Sequence, residues 1–168
     1  MNDSDLKHWR NHKQEAAVLY NLLGAAVWAI QHLEDALSTA IAIKHPKSVN
    51  RVEGDKLRNA NRTLPLGRAI GKAEREKTFE DALQKKLEAF LVDRNWLIHR
   101  CMHESVDDEG IPVKTGELFK RIRDIQLSAH SLQEDIETDL ANFCLANGRD
   151  DIVENVAKAR ADWEKRYG

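Results

Sequence analysis

Arg94-Asn95-Trp96-Leu97-Ile98-His99 places a permanent cation, an amide and a titratable imidazole within six consecutive residues. Those three groups suit work on a phosphodiester. An arginine fork binds a phosphate bidentately and stabilises the charge that develops on it. A histidine titrates close to neutrality, so it can give or take a proton at physiological pH. RNA carries its own nucleophile, the 2′-hydroxyl, so strand cleavage needs neither a metal nor a protein nucleophile. Proton transfer at the 2′- and 5′-oxygens and charge stabilisation on the phosphorane suffice, leaving a 2′,3′-cyclic phosphate. Asn95 would orient the ribose, the phosphate or the imidazole. The bland alternatives are equally concrete. Arg94 can lay its stem along a core with its head paired to Asp93, Glu88 or a more distant glutamate. His99 can be a solvated structural histidine, and Asn95 an ordinary polar helix residue.

These residues sit in a helical pattern running from about Thr78, a possible N-cap with Asp81 three residues on, to Glu104. At about 100° per residue, Leu83, Leu87, Phe90, Leu91, Leu97, Ile98 and Cys101 share one apolar face. Arg94 falls at the centre of that face, where an unpaired charge would be costly. Asn95 and His99, four apart, share a side of the helix. Arg94 and His99, five apart, are separated by about 140° of rotation. Trp96 and Val92 point away from the apolar face and predict a second packing surface, against another helix or a partner subunit. A metal reading is weaker. His99 and His103 have i,i+4 spacing with Glu104 following, as do His8 and His12, but neither pair has a convincing third ligand.

The Arg94-Asn95-Trp96-Leu97-Ile98-His99 hexamer resembles the Arg-x(4–6)-His signature, with a polar residue after the arginine, of the HEPN superfamily (higher eukaryotes and prokaryotes nucleotide-binding domains). Gln31-His32-Leu33-Glu34-Asp35-Ala36-Leu37 resembles the first long helix of such bundles. Thr63-Leu64-Pro65-Leu66-Gly67-Arg68-Ala69-Ile70 resembles the short helix before the motif helix in bacterial members. The likeness spans roughly residues 15 to 145, and only the hexamer within it is specific. It implies a metal-independent endoribonuclease of toxin or anti-phage type, with Arg94, Asn95 and His99 as its site and no cofactor. It also implies a homodimer in which two motifs share one cleft, with RNA as substrate and an antitoxin or other inhibitory partner. A pair of sites makes chemical sense, because one histidine alone must act as both base and acid. Trp96 and Val92 would then belong to the dimer face. Some HEPN domains lack nuclease activity and serve as nucleotide-binding or protein-interaction modules, which is the alternative.

The rest of the chain must position this helix. Its 168 residues, 32% charged and 42% apolar with only three prolines and eight glycines, have the composition of one helix-rich globule. We therefore expect a single HEPN-like domain over 1–168, an all-α up-down bundle of four main helices plus short extra ones. The formal net charge of −2 argues against broad electrostatic binding of nucleic acid, though not against a local basic patch. Cys101 and Cys144 lack CxxC spacing and predict reduced cytosolic thiols. No signal peptide is readable, and the apolar run Ala25 to Ile30 is too short to span a bilayer. We expect a cytoplasmic protein with no membrane association.

Apolar periodicity from Leu6 to Ile41 predicts a first helix beginning after Asp3-Ser4-Asp5 and ended by His45-Pro46. Gly24 marks either a close contact or a break within it. Residues 46–54 read as a loop, with a second helix from about Asp55 that Pro65 and Gly67 interrupt or restart. Residues 105–112 read as a loop. A long helix follows from Thr115 to the stop signal Asn147-Gly148. A charged C-terminal helix over 149–166 turns Ile152, Val153, Val156 and Trp163 inward. Lys120-Arg121-Ile122-Arg123 and Arg68, Lys72, Arg75 and Lys77 are basic stretches that could line a phosphate track beside Arg94.

Overall fold

A computed structural model describes the backbone of residues 3–48, 50–104 and 115–167, with the side chains of those residues except 3–13, 115, 159–160, 163–164 and 166–167. Every described element is helical: α1 (Asp3–Lys44), α2 (Arg51–Arg62), α3 (Leu66–Arg75), α4 (Asp81–His99), α5 (Cys101–Glu104), α6 (Thr115–Ala146) and α7 (Asp150–Tyr167). The protein is an all-α bundle, as its composition and periodicity predict.

α1 is continuous, and Gly24 neither breaks it nor sits in a close contact, since a Cβ there would meet nothing within 4 Å. α1 and α6 run in the same direction. Their C-terminal ends are tied by Lys44, whose ammonium donates to the Asp139 carboxylate and to the Thr78 carbonyl, the latter at 2.9 Å. Arg149 Nη1 donates to the Ile43 carbonyl at 3.2 Å at the same end. α4 runs the opposite way, with Lys86 near its start paired to Asp135 at 2.8 Å and Trp96 near its end against Arg121. Gly67 lets α3 approach α4 closely, because a Cβ there would lie 3.2 Å from Leu91 Cδ2.

One continuous core joins α1, α3, α4 and α6, and α5 adds Cys101 to it. Leu33, Leu37, Ile41, Leu87, Ile122 and Ile136 are all under 2% exposed. Burying each such side chain contributes about 1.5–3 kcal/mol before chain entropy is subtracted. The Gln14–Lys44 part of α1 is long and apolar enough, by length and composition, to cross a membrane. Core helices of soluble bundles pass the same test, and α1 supplies Ala26, Ala29, Ile30, Leu33, Leu37, Ala40 and Ile41 to this core.

Several boundaries differ from expectation. The helical pattern from Thr78 to Glu104 is two helices, because the chain departs from helical geometry at Arg100 (φ −123°, ψ −26°). Thr78 is buried and does not cap; Glu80 occupies the N-cap position without a side-chain cap bond. α2 starts at Arg51, four residues earlier than expected, since the Asn50 side chain accepts from the Glu53 N–H at 3.0 Å and caps it. α6 ends as expected, with Gly148 at φ +65°. In α7, Val156 is 64% exposed rather than inward, Ile152 and Val153 are half-buried, and Trp163 lies outside the described side chains. The predicted loop 105–112 lies outside the described residues.

Candidate functional site

The helical period of α4 decides where each motif residue goes. Arg94 projects from the buried face toward α1, where its Nη2 lies 3.4 Å from Glu34 Oε1. Its side chain is 22% exposed, and its Nε is buried with no hydrogen-bond partner. Of the acids that could neutralise Arg94, the one that does is therefore the distant one. Glu88, by contrast, accepts from Gln84 Nε2 at 2.9 Å. Asn95 and His99 emerge together on the solvent side of α4, both exposed and next to Val92, which is 69% exposed. One chain thus brings Asn95 and His99 together and turns Arg94 about 100° from the first and about 140° from the second.

Trp96 packs against another helix of the same chain, one of the two partners its position in the sequence offers, and not at an open dimer face. It is only 6% exposed. The departure from helix at Arg100 re-aims the following turn, so that Glu104 reaches back and accepts from the indole N–H at 2.6 Å. α6 covers the ring itself: the Arg121 guanidinium carbon lies 3.6 Å from the ring centroid. Arg121 Nη1 is 3.6 Å from Glu104 Oε2, completing a three-residue clasp over the end of the motif helix. Ile98, assigned to the inner face, is 44% exposed.

Cys101 is buried beneath this clasp. Burial pushes its thiol pKa up, the Glu104 carboxylate adds to the rise, and the Arg121 charge opposes it. A thiol held neutral in this way is a packing residue rather than a nucleophile. Cys144 is likewise free, buried and pushed up, chiefly by burial.

The two basic stretches have different fates. Arg121 brings the 120–123 run against the motif helix, with Ile122 driven into the core at 0% exposure. In the α3 run, Lys72 donates to Asn61 Oδ1 at 2.6 Å and is turned away from His99. A small cleft of about 200 Å³ opens beside Glu34, lined also by Gln31, Asp35, Arg62 and Leu64. Asp35 is paired there with Arg62, whose pKa it raises through that hydrogen bond. A wider hollow of about 600 Å³ lies at the far end of the bundle, around Lys44, Phe79 and Phe143. Neither hollow includes Arg94, Asn95 or His99 in its lining. Among the described residues, no group of three or more His, Cys, Asp or Glu side chains is arranged to hold a metal ion. His8 and His12 lie outside the described side chains.

Glu34, Glu104 and Arg121 were missed as neighbours of the motif by sequence reasoning. Arg121 left a trace there as part of a basic run, and Glu104 as the acid after His103 in the metal reading. No family model, curated protein or solved structure matches the chain.

Proposed function

We propose that this protein is a HEPN-like, metal-independent endoribonuclease that cleaves RNA by attack of the 2′-hydroxyl on the adjacent phosphodiester. The observation that supports it is the pairing of Asn95 with His99 on one open side of α4. An accessible imidazole with an amide one helical turn away has room for a ribose and its phosphate, where a buried pair would not. His99 moves the proton, Asn95 orients the ribose or phosphate, and Arg94 stabilises the phosphorane charge. The site is composite: a second copy supplies the second histidine, so that base and acid are separate groups. Val92 belongs to that contact, whereas Trp96 does not. In this reading the protein is a cytoplasmic toxin or anti-phage effector, with RNA as substrate and an antitoxin as the partner that restrains it.

A second reading draws on a specific observation. Arg94 is already neutralised by Glu34, which suits a non-catalytic nucleotide-binding or protein-interaction module of the same fold. RNA cleavage in EDTA separates the two. The ribonuclease reading expects cleavage that leaves cyclic-phosphate ends, is lost in His99→Ala and falls at least 100-fold in Arg94→Ala, roughly the loss of a general acid–base or charge-stabilising group. It also expects a dimer mass at micromolar concentration. Folded wild type that cleaves nothing would leave only the binding module, and a monomer that still cleaves would overturn the composite site alone.

A further inference from the structure

On the surface of α4 that carries His99, the cation the fold sets in place is not Arg94 but Arg121. Trp96 precedes His99 by three residues, less than one turn. The two side chains leave α4 about 60° apart, so a group packed on the indole lies on the histidine's side of the helix. The Arg121 guanidinium packs there, with its carbon 3.6 Å from the ring centroid. Stacking occupies the flat face of a guanidinium and leaves its N–H donors free in the plane. The carboxylate beside it, Glu104, is 3.6 Å from Nη1, beyond hydrogen-bonding range, and Glu104 already accepts from Trp96. With 45% of its side chain exposed, Arg121 keeps donors open to solvent while its orientation is fixed.

We infer that Arg121 is a substrate-binding residue of this site and receives a phosphate of single-stranded RNA next to His99. This rests on the ribonuclease reading and adds to it the contact that holds the strand. A flexible surface arginine loses rotamer freedom when it grips a phosphate, but one already clamped on an indole loses far less. Its planar fork matches two phosphate oxygens at once. Glu104 steers the fork without consuming it, and the same acid anchors the indole on which the fork rests.

The test uses full-length His99→Ala protein, which cannot cleave, and a fluorescein-labelled single-stranded RNA, with anisotropy followed over a salt series. Adding Arg121→Gln is expected to weaken binding roughly tenfold at low salt and to flatten the log–log salt slope by about 0.7, the share of one phosphate contact to a single strand. Arg121→Lys keeps the charge but not the fork, so it retains the slope while binding roughly threefold more weakly. Arg51→Gln removes a cation of equal charge whose side chain is 95% exposed, from a helix that starts near the opposite end of the bundle, and leaves both values unchanged. If Arg121→Gln binds and slopes like its parent, the residue only covers Trp96 and the inference is overturned, while the nuclease reading stands. Should Arg121→Gln fold poorly, Arg121→Lys decides, because parental affinity in that variant removes the role of the fork. A His99→Ala parent that binds no RNA at all overturns both.

Discussion

Arg94 sits where a leucine would serve packing better, and its surroundings show the consequence. The guanidinium is drawn out of the core to Glu34, while its Nε stays buried and unpartnered. Both side chains retain solvent contact, at 22% and 34% exposed, so screening keeps their coupling small, about 0.5–1 kcal/mol. A double-mutant cycle in urea with Arg94→Gln and Glu34→Gln is expected to return a coupling of that size. A coupling near zero would mean that the pair contributes nothing to the fold. That Arg94 needs a partner was legible in the sequence, since a lone cation on an apolar helix face has to be neutralised. Which partner was not, because Glu34 lies 60 residues away in a helix whose own period gives no hint of it. Asn95 and His99 were read correctly as neighbours, because i,i+4 spacing alone places them together.

At the scale of elements, the end of α4 is the least predictable part of the molecule and the most consequential. No glycine or proline marks the departure from helix at Arg100, so periodicity carried the motif helix on to Glu104 and left open whether Trp96 packs on another helix or on a partner subunit. The indole is buried by tertiary contacts, one from beyond the break and one from α6. Trp96→Phe keeps most of the ring under Arg121 and removes the N–H that Glu104 accepts. Losing that bond, to a carboxylate that is 50% exposed and open to water, is expected to cost about 0.5–1.5 kcal/mol, read as a lower urea midpoint. An unchanged midpoint would show that the clasp depends on stacking alone. The start of α2 was missed for a different reason. Asn50 caps it through the Glu53 N–H, and the sequence reading weighed the Ser, Asn and Gly of that stretch as loop residues. The longer elements were legible because α1 and α6 carry apolar residues at helical spacing over many turns.

The two buried thiols add a pH dependence to the stability of the whole molecule. Both pKa values are raised in the fold, so the unfolded chain ionises first as pH increases. The sign follows: the contribution is fully present below the ordinary thiol value of 9.0 and is lost as pH rises above it toward the raised folded values. Stability is expected to fall on the alkaline side, and Cys101→Ala/Cys144→Ala should reduce that dependence, as measured by urea midpoints across the alkaline range. At neutral pH both thiols should resist iodoacetamide until the chain unfolds; rapid labelling of folded protein would contradict their burial.

The shared direction of α1 and α6 has a consequence for how this chain is made. From Ala16 to Leu33 there is no Asp, Glu, Lys or Arg, and the core face of this segment is covered largely by a helix that begins at Thr115. Lys44 meets Asp139 across 95 residues of sequence. A ribosome adding about 5–20 residues per second needs roughly 5–20 s to cover that distance. During that interval the most apolar helix of the protein has emerged without its principal neighbour. Nascent α1 is therefore the segment on which a holdase would act, and the speed of translation through residues 45–139 sets how long it must hold.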